Sequence, residues 1–324
     1  MAFVAPGEDR PVDLSVIVVS YNTKLLTLQA LESLFRHPPP VDFEVIVIDN
    51  ASPDGSFEAI ASEFPRIEAI AHPENIGFAA GNNVAARNAR GRRILLLNPD
   101  TITLEHSLSG LWAFAEREPN RRIWGGRTLF PDMTLNPTSC WRRMTLWSLT
   151  CSAFGLTHLG HGSSLFNPEA MPEWPRDSIR DVDIVTGCFL LIDTALWREL
   201  GGFDPAFFMY AEEADLCLRA KVRGARPGIS PEAEIVHMGA TSEAGADKIV
   251  KTTRGRVTLM RKHWTPAAVA IGRALLLTWS GLRLVGSRFA SGRRDAPGAA
   301  REKWSLVWKR RKEWLAGYEM RAAR

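Results

Sequence analysis

Short apolar runs alternate with amphipathic stretches through the first hundred residues. The runs at 14–20 (LSVIVVS), 43–48 (FEVIVI), 67–71 and 93–97 are rich in β-branched residues or leucine and read as strands. The patterns between them, at 24–35, 57–64 and 77–90, read as helices. Thr23 stands where it would cap the first helix, and the prolines at 38–40 end it. Such alternation predicts an α/β fold with a mostly parallel sheet flanked by helices. Unbroken apolar runs predict strands buried on both faces.

Each run stops abruptly in polar residues. Ser20, Tyr21 and Asn22 follow the first; Asp49 follows the second; Asn98, Pro99 and Asp100 follow the fourth. In open sheets of this kind ligands bind just beyond the strand ends. Tyr21, Asp49, Gly77 and Asp100 are therefore expected along one edge. A plainer reading of NPDT is a turn and helix entry, since Asn, Pro and Asp are common turn residues.

The second part of the chain is less regular. A helix is expected from about 105 to 116 and a strand at 123–130. Residues 131–180 then show little periodicity and many Trp, Pro, Arg and His residues. So long an irregular connection is usually functional or mobile. Strand character returns at 182–192 and a helix at 194–200. An acidic cluster at 212–215 opens an amphipathic helix closed by Gly224, and a last strand covers 233–237.

Composition narrows the chemistry. The four cysteines form no CxxC pair, which argues against a zinc site or disulfide framework and suits a reducing compartment. The first strand is followed by neither G-x-G-x-x-G nor a Walker A loop, so a nucleotide would be held another way. The N-terminal residues lack the basic-then-apolar pattern of a signal peptide, and none is expected. The formal charge of +4 hides an asymmetry: residues 241–324 carry 19 Lys/Arg against 6 Asp/Glu, and the first 240 carry 21 against 30. An acidic body with a basic, Trp-rich tail points to an anionic partner for the tail. On charge alone that is membrane lipid or nucleic acid.

Six motifs in order, VSYNT, VIDNASPDGS, NIGFAAGNN, LLLNPDT, GGFDPAFFMYAEEADLCLR and EIVHMG, resemble family 2 glycosyltransferases of the bacterial rhamnosyltransferase-like subgroup. The resemblance covers about residues 14–239. It implies a GT-A fold in residues 1–240, with a nucleotide-sugar half over about 12–130 and an acceptor half over about 131–240. Residues 241–324 would then be a basic, helical C-terminal extension. The implied cofactors are Mn²⁺ or Mg²⁺ and a dTDP- or UDP-sugar donor. A hard cation suits a diphosphate leaving group because it prefers oxygen ligands.

The resemblance also assigns residues. Asp100 matches the last Asp of the family's DxD motif, Asn98 replaces the first, and His237 matches a histidine that completes the metal site. Asp49 would accept a hydrogen bond from the base, which suits uracil or thymine; its alternative is a helix cap. Ser20, Tyr21 and Asn22 would line base and ribose, Tyr21 by stacking. Asn75, Gly77 and Gly81 would approach the nucleotide at a helix N-terminus, or simply form a tight turn. Glu213 would be the general base, as Glu where the family has Asp; the plain alternative is that these acids complement the helix dipole. Asp183, Gly187, Glu212, Trp141 and Arg142 are the acceptor-side candidates.

Residues 265–287 are apolar but for Arg273 and Arg283, which suits an interfacial helix better than a spanning one. Trp304, Trp308 and Trp314 beside the basic run at 309–312 repeat the theme. The resemblance thus implies a peripheral enzyme on the cytoplasmic face of the plasma membrane, acting on a lipid-linked saccharide, with no nucleic-acid partner. Alternatively these helices pack on the body or on a second copy, as a homodimer. The rival functions are a sugar-nucleotidyltransferase and a non-catalytic membrane- or nucleic-acid-binding protein.

Overall fold

The computed structural model describes residues 2–239, 245–289 and 298–319. The strands are β1 (Leu14–Ser20), β2 (Phe43–Asp49), β3 (Glu68–Ala71), β4 (Arg93–Leu97), β5 (Thr101–Thr103), β6 (Ile123–Leu129), β7 (Leu135–Asn136), β8 (Cys140–Trp141), β9 (Arg180–Asp181), β10 (Ile184–Val185), β11 (Phe189–Asp193) and β12 (Gly228–His237). The helices are α1 (Lys24–Arg36), α2 (Ser56–Glu63), α3 (Gly77–Ala86), α4 (Ser107–Arg117), α5 (Leu146–Ala153), α6 (Leu156–Leu159), α7 (Thr194–Leu200), α8 (Glu212–Val222), α9 (Ala246–His263), α10 (Pro266–Gly286), α11 (Ala299–Lys309) and α12 (Arg311–Ala316).

The chain forms two compact units. The first comprises Met1–Trp141, Trp174–Asp204 and Glu213–Ser242; the second comprises Arg142–Glu173, Pro205–Glu212 and Glu243–Arg324. The division does not fall at a single cut near residue 240: two earlier segments group with the C-terminal helices.

The first unit is built on one sheet, in the order β3-β2-β1-β4-β11-β6-β12-β5, with β7 on β6 and β9 on β12. β3, β2, β1 and β4 run parallel, as the alternating pattern predicts. β11 lies antiparallel between β4 and β6. The chain therefore winds outward from β1 to β3 and returns on the other side of β1 at β4. That reversal opens a crevice at the strand ends, where sheets of this kind take ligands. Val16, Ile17 and Val18 of β1 and Ile46 and Ile48 of β2 are fully buried, as strands covered on both faces require. Core side chains of β1, β2 and β4 continue through Trp124 and Phe189 to Ile235.

Local details differ from the sequence reading. Thr23 does not cap α1 through its side chain. The Lys24 N–H is taken instead by Asp54 Oδ2 at 3.0 Å, while Asp54 Oδ1 accepts from Ser56 at the start of α2. One carboxylate from the second strand's loop thus closes two helix starts. The expected strand at 182–192 breaks into β10 and β11 around Gly187, and β12 begins five residues before its expected start.

The second unit is helical. α9 falls within the expected helical extension, though no separate helix was delimited there. Its buried stripe includes Thr253, Gly255 and Thr258, which an apolar count passes over. The C-terminal tryptophans turn inward. Trp314 is fully buried with its indole N–H donating to Val307 O, and Trp304 meets Trp279 edge to face at 5.1 Å. The Tyr318 hydroxyl donates to Met209 O, and its backbone N–H donates to Thr258 Oγ1. Trp314 thus follows the packing alternative, its ring filling a gap within the unit where its N–H finds a partner, while Trp304 and Trp308 stay half-buried.

Candidate active site

The polar strand ends of the first unit gather into one site. At the end of β2, Asp49 is 4% exposed. Its Oδ2 accepts from the Ser52 N–H at 2.9 Å, and its Oδ1 is buried without a hydrogen-bond partner. Burying an unpaired acceptor is costly, so such an atom marks where a ligand donor belongs. Beside it Tyr21 is exposed at the end of β1 and its ring is open for stacking. Asn22 and Ala51, just past β1 and β2, both hold left-handed backbones, with φ of 53° and 63°. Non-glycine residues in that region are uncommon and cluster at functional loops.

Asn50 was not singled out from the sequence, yet it ties these ends together. Its amide donates to Asn75 Oδ1 at 3.0 Å and to Gly77 O at 3.2 Å, and its oxygen accepts from the Ile76 N–H at 3.0 Å. Asn75 Oδ1 also accepts from the Gly77 N–H. The turn before α3 is thereby fixed to the end of β2, with Gly77 at φ +85°, a conformation that favours glycine. Gly81 behaves differently from expectation. A Cβ there would stand 3.1 Å from Val19 Cγ1, so this glycine serves the approach of α3 to β1. Ser20 is similar: its hydroxyl lies 3.3 Å from that of Thr23 and 3.1 Å from that of Thr27, in a buried cluster with α1.

The opposite side of the crevice carries the acidic groups. β5 pairs with β12 so that His237 stands opposite Thr101, and the Met238 N–H donates to Asp100 O. This register brings His237 Nε2 to 3.3 Å from Asp100 Oδ1, joining two residues 137 positions apart. Both side chains are largely buried. Asn98 Oδ1 is buried and unpartnered, and its N–H donates to Cys188 O.

Gly187 and Cys188 connect Asp100 to Glu213. A Cβ on Gly187 would stand 3.7 Å from Glu213 Cβ and 3.6 Å from Phe78. The Cys188 thiol is pushed up, first by burial, then by the Asp100 carboxylate, and further by Glu213. Both carboxylates therefore act on one buried residue. The Cys217 thiol, on α8, is pushed up to about 12, mainly by burial, with Glu213 adding to it. Glu213 is the second residue of α8, which begins directly after Tyr210 and Ala211, whose φ values are 68° and 73°. Asp215 is fully buried and holds Arg219, which in turn donates to Leu200 O and Gly202 O. Asn83 clamps the same turn, donating to Phe203 O and accepting from the Phe203 N–H.

The acceptor-side residues scatter. Asp183 is ion-paired with Lys221. Trp141 pairs with Ile184 across the β8–β10 ladder and is half-buried. Arg142 belongs to the second unit and is exposed; Glu212 also belongs there and is buried. Asp193 lies between Arg93 at 3.7 Å and Arg122 at 3.6 Å, so it neutralises buried cationic charge.

Among the described residues no group of three or more His, Cys, Asp or Glu could hold a metal ion. Asp100 and His237 offer one oxygen and one nitrogen. That set suits an ion whose remaining positions go to phosphate and water, as Mg²⁺ and Mn²⁺ commonly accept.

Residues 15–172 match the family model described as glycosyl transferase family 2. Over those residues the chain is similar to family 2 glycosyltransferases, and its fold is of the GT-A type. It is 26% identical over 254 residues to the N-acetylglucosaminyl-diphospho-decaprenol L-rhamnosyltransferase of Mycobacterium tuberculosis, covering 71% of this chain and 77% of that one. It is also 26% identical over 246 residues to the O-antigen biosynthesis protein RfbC of Myxococcus xanthus, covering 73% of this chain. The chain spans only 17% of that relative and 28% of a Sinorhizobium fredii relative. In architecture it is similar to the mannosyltransferase PcManGT from Pyrobaculum calidifontis, solved with GDP-Man and Mn²⁺. The TM-score is 0.55 at 17% identity, over 97% of this chain and 88% of that one.

Proposed function

We propose that this protein is an inverting, metal-dependent glycosyltransferase. It moves a sugar, L-rhamnose from dTDP-rhamnose or the sugar of a related dTDP- or UDP-donor, to a lipid-linked glycan in cell-wall or surface-polysaccharide assembly. It works at the cytoplasmic face of the plasma membrane. The observation that carries the reading is the contact of His237 Nε2 with Asp100 Oδ1 at 3.3 Å, with Glu213 packed beside Gly187 at the head of β11. A carboxylate–imidazole pair for a metal diphosphate and a second carboxylate for the acceptor then share one sheet end.

The residues divide the work. Asp49 Oδ1, buried and unpartnered, accepts from the N3–H of a thymine or uracil. Tyr21 stacks on the ring. Asn50 and Asn75 hold the loops around it. Asp100 and His237 would hold a divalent ion, which when bound neutralises charge on the leaving diphosphate. Asn98 Oδ1 is an acceptor for a donor hydroxyl. Glu213 accepts the proton of the acceptor hydroxyl as it attacks the anomeric carbon from the face opposite the departing diphosphate. Asp183 and Trp141 remain acceptor contacts in this reading, with Asp183 held by Lys221.

Melting curves with a panel of nucleotide-sugars test the proposal. A dTDP- or UDP-sugar should raise the melting temperature only with Mn²⁺ or Mg²⁺ present, and GDP- and CMP-sugars should not. Equal stabilisation by all donors, with or without metal, would remove the base and metal assignments together.

A further inference from the structure

The second unit contains a cavity of about 340 Å³, formed within that unit by the chain around α5 and α6 and by α9 and α10. Arg256, Arg283, His158 and His161 all line it, and Ser152 and Thr157 add hydroxyls. No carboxylate is among the described residues of its wall. Four cationic or cationisable groups on one cavity are an arrangement for an anion with several oxygens. Guanidinium groups match phosphoryl oxygens because their N–H donors lie in a planar fork.

The two arginines are held in place. Arg283 lies 5.7 Å from the ring centres of both Trp279 and Trp304. Stacking of that kind occupies the face of a guanidinium and leaves its in-plane donors for an oxygen ligand. Arg256 contacts Glu169 at 3.3 Å through one Nη, which orients it.

The surroundings are apolar. Leu159, next to His158, is 82% exposed, and Leu165, four residues after His161, is 60% exposed. Phe154 and Leu282, beside α6 and next to Arg283, are also exposed. α10 is long and apolar enough to cross a membrane, and only 17% of its most apolar window is buried. An anion cavity whose lining residues are neighboured along the chain by large exposed apolar side chains is matched by an amphiphile carrying phosphate.

We infer that this cavity binds the phosphate or diphosphate head of a membrane lipid. The inference gives the membrane association proposed above a defined site and rests on it. It is independent of the sugar donor.

The test is binding of the full chain to phosphatidylcholine vesicles with and without phosphatidate, with inorganic pyrophosphate as soluble competitor. Phosphatidate should tighten binding at least tenfold. Arg256→Gln with Arg283→Gln should abolish that preference while leaving nucleotide-dependent melting shifts intact. Because Arg283 also packs on two tryptophans, His158→Gln with His161→Gln, at exposed positions, provides a second variant with an expected loss of about threefold or more. A phosphatidate preference unchanged in both variants would overturn the cavity assignment and leave membrane binding standing. Pyrophosphate binding without any vesicle binding would overturn the lipid as its source. Vesicle binding that phosphatidate does not alter would overturn the head-group reading.

Discussion

The two units place polar and apolar groups in opposite ways. In the first, apolar strands are sealed inside and the polar groups emerge at their ends: Asp49 after β2, Asn98 and Asp100 after β4, His237 at the end of β12. In the second, leucines and phenylalanines stand on the surface while arginines and histidines converge on a cavity. A rigid parallel sheet fixes side chains at its edge to within the precision that transfer chemistry needs. An exposed apolar surface beside a cluster of cationic groups has no such use in water, and it suits a lipid boundary. Under the proposed function and the inferred lipid site, the comparison separates a region for reaction from a region for attachment.

Substitutions can break that separation, and the largest effect belongs to the metal side of the sheet. Asp100→Ala should lower metal-dependent donor affinity by about a hundredfold, and His237→Ala by about tenfold, within the range for perturbing a metal site. Titration calorimetry with and without Mn²⁺ reads both. Next comes Asp49→Ala, with about tenfold or more lost in nucleotide affinity, as for a hydrogen bond to a charged group. That loss should be similar with and without metal, which distinguishes base reading from diphosphate binding. Asn50→Ala should cost about 1–3 kcal/mol of stability, since it leaves the part-buried Ile76 N–H without its acceptor; chemical denaturation measures it. The smallest effect is expected from Leu159→Asp with Leu165→Asp. Vesicle binding should fall a few-fold, with donor affinity unchanged. A fall in donor affinity equal to that in vesicle binding would mean that the units do not divide the functions.

Much of the first unit was legible because its signals are local. A run such as FEVIVI can only be a buried strand, and its period needs no knowledge of the rest of the chain. Asp100 and His237 were paired through resemblance, and the β5–β12 register supplies the physical reason. What stayed hidden depends on distant partners. Asn50 looks like any turn residue until its amide is seen to reach Asn75, Ile76 and Gly77. Asp54 rather than Thr23 supplies the acceptor at α1, a choice made thirty residues away. The C-terminal tryptophans have the composition of a lipid-facing helix, and only packing reveals that Trp314 is interior. α9 hides its buried stripe behind Thr and Gly. Gly81 and Ser20 also have packing contacts that their motifs did not announce, with β1 and with α1.

The most direct test of the account is Glu213→Gln, measured for nucleotide binding and for sugar transfer in one preparation. The amide keeps the size of the side chain and removes its basicity. Donor affinity should stay within about twofold of wild type while turnover falls by about 10²–10⁴, the range expected for a lost general base. Turnover equal to that of wild type would contradict the assignment of Glu213 and, with it, the reading of this sheet edge as the site of transfer.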